Sequence, residues 1–203
     1  MSTPAKNQDL HGNVPDESPV VLLLIDLIND FEFEGADALF NHSRTIAPRI
    51  AALKQRAKQA GIPVVYVNDN FGKWQSDQQK LVEHCLQDGV RGKNIVELLK
   101  PEESDYFVLK PKHSAFYSTT LDVLLDYLKA KTLILAGIAG NICVLFTAND
   151  AFMRDFHLVV PADCIASESE AENQYALEQI EKVLKADIRP SGELDWEALT
   201  RRR

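Results

Sequence analysis

The chain has 203 residues, 45% apolar and 26% charged, the composition of a soluble globular domain. At about 150 residues per domain it reads as one unit, long enough to bury a core without metal or disulfide staples. Its formal net charge of −8, from 22 basic and 30 acidic residues, argues against broad electrostatic binding to nucleic acid or to an anionic membrane. Three irregularly spaced cysteines make no disulfide framework, which points to a reducing, cytoplasmic setting. No apolar run reaches the roughly 18 residues of a membrane span, and the first residues carry no secretory signal pattern.

Residues 1–19 are polar and rich in Pro, Ser, Asp and Asn, and read as a loosely ordered tail ahead of a domain spanning 20–203. The unbroken apolar run Val20 to Ile25, ending at Asp26, predicts a strand buried on both faces. Ile46, Ile50, Leu53, Ala57 and Ala60 recur at alternating steps of four and three residues, a helix stripe closed by Gly61. Ile62 to Val67 reads as a second strand. Residues 69–104 hold turn glycines and one or two short helices, an insertion in the second crossover. Tyr106 to Leu109 is a third strand. Leu121, Leu124, Leu125 and Leu128 mark a helix. Thr132 to Ala136 is a fourth strand, ended by Gly137, and a helix runs from near Ile142 to about Arg154. His157 to Val160 is a fifth strand. A helix over 169–186 turns Ala176, Ile180, Val183 and Leu184 inward. A short sixth strand near Asp187 and Ile188 and a last helix around 193–201 close the chain. Alternating strands and helices predict an α/β fold: a parallel sheet between two helix layers. Ligands in such folds bind beyond the carboxyl ends of the strands.

Three reactive residues stand at those ends: Asp26 after the first strand, Lys110 after the third, and Cys143 after the fourth. Each alone has an ordinary reading, as a turn residue, a solvated cation and a small core residue. Together they have a chemical logic. A thiolate attacks, but a free thiol titrates near 8.5. A helix N-terminus and an ammonium favour the thiolate, and a carboxylate can take the proton. Gly137 and Gly140 bracket a turn whose backbone N–H groups can face a ligand.

The segments "IDLINDF", "LKPKHSAF" and "AGIAGNICVLFTANDA" resemble those of the isochorismatase-like cysteine hydrolases, which include nicotinamidases and N-carbamoylsarcosine amidases. The likeness covers about residues 20 to 190. It implies a three-layer α/β/α, Rossmann-like fold with a six-stranded parallel sheet in the order 3-2-1-4-5-6. It further implies an Asp26–Lys110–Cys143 triad, a cis peptide between Ile138 and Ala139, and an oxyanion hole from the amides of Ala139 and Cys143. It suggests a homodimer or homotetramer. In that layout Lys110 starts two strands from Asp26, roughly 10 Å at about 4.8 Å per strand, so its loop must fold inward.

Two departures stand out. Ile28 replaces the Gln of the family's first motif. After the second strand, Asp69 lacks the histidine that follows two residues later in nicotinamidases. His11, His42, His84, His113 and His157 have no ligand spacing. The expectation is therefore no catalytic metal, and with neither a dinucleotide fingerprint nor a Walker A loop, no cofactor. Phe31, Asn68, Asn70, Trp74, Phe116 and Tyr117 are candidates to line a pocket for a small-molecule substrate; the aromatics equally suit packing of the insertion. Cys164 reads as structural, and Cys85 beside His84 is no dyad by spacing. Asn29 and Asp30 suit the turn after the first strand. The expected chemistry is cleavage of a small C–N substrate through a thioester. Vinyl-ether hydrolysis by the aspartate alone, or a non-catalytic, redox-sensing role, would use the same residues differently.

Overall fold

The structure is a computed structural model that describes residues 17–72 and 77–201. In chain order it contains β1 (Val20–Ile25), α1 (Ala36–Gln59), β2 (Val64–Asp69), α2 (Gln78–Cys85), α3 (Lys93–Leu99), β3 (Tyr106–Lys110) and α4 (Leu121–Leu128). Then come β4 (Thr132–Ile138), a π-helical turn (Gly140–Val144), α5 (Leu145–Phe152), β5 (His157–Val159), β6 (Ile165–Ala166), α6 (Glu170–Lys182) and α7 (Trp196–Arg201).

All the strand pairings are parallel, in the order β3-β2-β1-β4-β5, with β6 beside the far end of β4. β1 is central because every side chain in it is apolar and both faces are covered. Leu22 and Leu24 enter the core under α1, while Val21, Leu23 and Ile25 enter the core under α4, α5 and α6. This two-sided burial is the reason the run lacks polar alternation. The sheet thus lies between two helix layers, as expected.

The differences lie where the pattern is weak. α1 starts ten residues before the apolar stripe at Ile46 and runs through Pro48, whose ring sits on the exposed face. Its first half buries Ala36, Leu39 and Ser43, a stripe hidden by the serine, whose hydroxyl donates to the Leu39 carbonyl at 2.6 Å. Asp187 makes a single parallel bridge to Val159 outside β5, which keeps a sixth position in the order, but the short strand that forms a ladder is Ile165–Ala166 on β4. Val183 is not inward-facing: α6 ends at Lys182 and the residue is 55% exposed. Among the described residues no helix is long and apolar enough to cross a membrane.

One glycine sets the geometry of the site's edge. Gly137 pairs with Ile25 on one side and Ile165 on the other, at φ +133°, and a Cβ there would stand 2.1 Å from the Ile25 carbonyl oxygen. Only hydrogen fits, so β4 approaches β1 closely just where both strands release the chain into the loops beyond.

Candidate active site

The carboxyl ends of β1, β2, β3 and β4 bring four polar side chains together. Asp26 leaves β1 in a left-handed conformation (φ 53°), while its own amide still donates to the Val67 carbonyl at 2.9 Å. One carboxylate oxygen accepts the Asp69 amide at 2.7 Å, and the other lies 2.9 Å from Lys110 Nζ. Lys110 pairs in register with Asp69, at the end of β3, and its side chain crosses over the end of β2 to reach β1. No part of that side chain is exposed. Its ammonium donates to Cys143 Sγ at 3.4 Å and to the Lys112 carbonyl at 3.2 Å, and stands 3.7 Å from Asp69 Oδ2. The inward fold of the loop spans the separation that strand order imposes.

Cys143 lies in the π-helical turn after β4, half-buried, with its thiol also a hydrogen-bonding partner of Asp26. The amides of Ile142 and Val144, on either side of it, both donate to the Ala139 carbonyl at 3.1 Å. The Asn141 amide donates to Ser167 Oγ at 3.1 Å, which ties the turn to the segment after β6. The Ile138–Ala139 peptide bond is cis.

Burial pushes the Cys143 thiol up to about 12, and the Asp26 carboxylate adds to that rise, while Lys110 opposes both. These surroundings hold the proton on sulfur, and Lys110 is the neighbour that eases its release. Burial also raises the Asp26 carboxyl above its ordinary value, against the pull of Lys110. Burial works against the Lys110 ammonium, but Asp26, Cys143 and Asp69 outweigh it and hold its titration above the usual range. Lys110 Nζ thus lies between the Asp26 carboxyl at 2.9 Å and the Cys143 sulfur at 3.4 Å, and the thiol is itself within hydrogen-bonding reach of Asp26, a geometry in which a proton can pass from sulfur to the carboxyl group.

The pocket candidates scatter. Phe31 is fully buried in the α1-side core with its ring 5.4 Å from Phe40, so it packs the domain and presents no open wall. Asn68 is fully buried, and its side-chain amide donates to the Ile28 carbonyl at 2.9 Å. Asn70 caps the turn after β2, accepting the Gly72 amide at 2.9 Å. Phe116 is buried beneath the Arg154 guanidinium, 4.6 Å from its ring centre, whereas Tyr117 is 58% exposed. Trp74 lies outside the described residues. Asn29 and Asp30 do hold the turn after β1, accepting the amides of Phe31 and Glu32 at 2.8 and 3.0 Å. Cys85 and Cys164 are buried free thiols, and His84 turns away to Asp30, 2.9 Å from its carboxylate.

Two residues near the triad candidates were not singled out by sequence. His113 Nδ1 stands 4.0 Å from Cys143 Sγ, its ring 5.5 Å from that of Phe146. Its signal was its place three residues after Lys110. Asp69 touches both Asp26 and Lys110, and its register opposite Lys110 was the clue. Among the described residues no three His, Cys, Asp or Glu side chains are grouped so as to share a metal ion.

Comparison with known proteins places this arrangement in context. The family model for the isochorismatase domain matches residues 20–188. An uncharacterized isochorismatase family protein of Bacillus subtilis, YaaI, is 47% identical over 167 residues, 82% of this chain and 91% of that one. The ureidoacrylate amidohydrolase RutB of Methylorubrum extorquens is 29% identical over 173 residues, 73% of this chain and 70% of that one. Among solved structures, an isochorismatase family protein from Desulfovibrio vulgaris superposes with a TM-score of 0.72 at 26% identity, covering 91% of this chain and all of the other.

Proposed function

The chain belongs to the isochorismatase family of hydrolases, and on that footing we propose that it cleaves the C–N bond of a small amide or carbamoyl compound through a thioester on Cys143. The observation that carries this reading is the Lys110 ammonium held between Asp26 at 2.9 Å and the Cys143 sulfur at 3.4 Å. A buried core cysteine does not need a carboxylate and an ammonium at its thiol; a nucleophile does. The likeness to an amidohydrolase that acts on ureidoacrylate supports the choice of C–N chemistry.

In the proposed cycle, Asp26 takes the thiol proton as sulfur attacks the carbonyl carbon. The C=O electron pair moves onto oxygen, and the amides of Ala139 and Cys143 receive that oxyanion. The tetrahedral adduct collapses, Asp26 delivers its proton to the nitrogen, and the amine departs. Water then attacks the thioester, Asp26 accepts its proton, and the thiol returns with release of the acid. Because burial raises the Asp26 carboxyl, the protonated acid is tolerated between the two half-reactions. Lys110, 3.4 Å from the sulfur, supplies the positive charge that stabilises it as its proton passes to Asp26. Each amide aimed at the oxyanion contributes about 3 kcal/mol in sites of this type.

The test is a panel of small amides, ureas and carbamoyl compounds, with acid-quenched samples analysed by peptide mass spectrometry. The reading expects an acyl mass on the Cys143 peptide of the enzyme caught in turnover. Turnover of a vinyl ether with the Cys143 peptide unmodified would favour acid catalysis by Asp26 alone.

A further inference from the structure

Cys143 and Lys110 come from different parts of the chain, and the loop after β3 meets the Lys110 ammonium through the Lys112 carbonyl at 3.2 Å while it seats on α5. Two tethers join those pieces. Thr147, one turn after Cys143 and fully buried, donates its hydroxyl proton to the Cys143 carbonyl at 2.7 Å and accepts the Ala115 amide at 3.0 Å. One hydroxyl supplies one donor and two acceptor lone pairs, so a single side chain satisfies both partners. A threonine in a helix commonly bonds back to the carbonyl four residues earlier; here the same oxygen also grips a second segment. Next to it, the Ser114 hydroxyl donates to the Asp150 carboxylate. Asp150 is steadied in turn by Arg154, 3.3 Å away, whose guanidinium also meets Asp122 on α4 at 2.9 Å.

We infer that Thr147, seconded by the Ser114–Asp150 pair, is a positioning residue that clamps the loop after β3, which carries His113 and the Lys112 carbonyl that receives the Lys110 ammonium, onto the turn carrying Cys143. The inference rests on Cys143 being the reacting atom of the proposed function. Packing alone asks for an apolar side chain at a fully buried helix position, and valine has the same shape as threonine. What valine lacks is the oxygen that the Ala115 amide and the Cys143 carbonyl share. Without it the buried Ala115 N–H loses its partner, and the loop is free to shift against the turn. A displacement of about 1 Å at reacting groups costs up to about a hundredfold in rate.

The thiol reports its own surroundings, so the test needs no substrate. The groups facing Cys143 are Asp26 just after β1, Lys110 at the end of β3 and His113 in the loop after it, with Asp69 of β2 behind Lys110 at 3.7 Å. The rate of iodoacetamide alkylation at about pH 8.5 is followed by peptide mass spectrometry specific for Cys143, in the full chain and in Thr147→Val and Thr147→Ser. The clamp predicts that the rate changes about threefold or more in Thr147→Val, the equivalent of about half a pH unit in thiolate population, and returns in Thr147→Ser. For any panel compound that is turned over, kcat falls and KM holds. An unchanged rate in folded Thr147→Val overturns the clamp. If that variant does not fold, the same measurement on Ser114→Ala decides, with the same rate as the parent chain counting against. Loss of turnover in Cys143→Ala is a separate readout, so a failed clamp and a failed hydrolase reading are distinguishable.

Discussion

Replacing Lys110 by Met keeps the apolar stem and removes the charge, leaving Asp26 buried with no cation against it. The Lys110 side chain has no exposure and the Asp26 carboxylate little, so water cannot take the ammonium's place without rearrangement. Asp69 offers no compensation, since it carries the same sign as Asp26. Breaking a buried pair by removing one partner costs about 3–5 kcal/mol. For a domain of this length each kcal/mol lowers the melting temperature by roughly 2–4 °C, so the expected drop is roughly 6–20 °C near pH 8. The sign with pH follows from Asp26. Its folded carboxyl is already raised by burial above the ordinary value of 3.8, and it rises further once Lys110 is gone. A raised carboxyl penalises the fold only where it must ionise, so the loss is full at high pH and shrinks toward about pH 3, where folded and unfolded forms are both largely protonated. Scanning calorimetry of the parent chain and of Lys110→Met across that range measures this. The double variant Asp26→Asn/Lys110→Met, which removes both charges, should recover more than half of the loss. A deficit in Lys110→Met that is equal at both ends of the range, or below about 1 kcal/mol, would refute the view of Lys110 as the counter-charge of Asp26.

Asp26→Asn alone should separate chemistry from reactivity: the thiol loses the negative neighbour that raises it and keeps Lys110, so Cys143 alkylation near neutral pH speeds up while hydrolysis is lost. Slower alkylation of that variant would contradict the assigned charges. Gly137→Ala should destabilise the chain by about 3 kcal/mol or more, because the added methyl meets the Ile25 carbonyl oxygen. A denaturant midpoint unchanged from the parent chain would show that β4 can retreat from β1.

The sheet was legible because its strands are short, apolar and two-sided; β1 alternates between two cores while presenting no polar residue to interrupt the pattern. The start of α1 was not legible, since Ser43 breaks the apolar stripe and Pro48 ordinarily ends a helix. A two-residue pairing such as Ile165–Ala166 leaves no periodicity to read, and Asp187 kept only a single bridge of the strand expected there. At the site, strand ends located Asp26, Lys110 and Cys143, because position after a buried strand is a property of the sequence. The path of the Lys110 side chain over β2 is not, nor is its contact with Asp69. The aromatic pocket candidates show the same limit: Phe31 and Phe116 went into the two cores and Tyr117 into solvent, a partition that composition does not encode. Burial, too, is invisible at the level of motifs: it raises the Cys143 thiol against the pull of Lys110, and strand-end position says nothing of it.

Turnover by Cys143→Ala on the best compound of the amide and carbamoyl panel, compared with the parent chain at equal folded concentration, asks whether sulfur performs the reaction. Covalent attack by Cys143 predicts a fall in kcat/KM of about a thousandfold or more. Activity within a factor of about ten of the parent chain would mean that the thiol is a bystander and that Asp26 works without it.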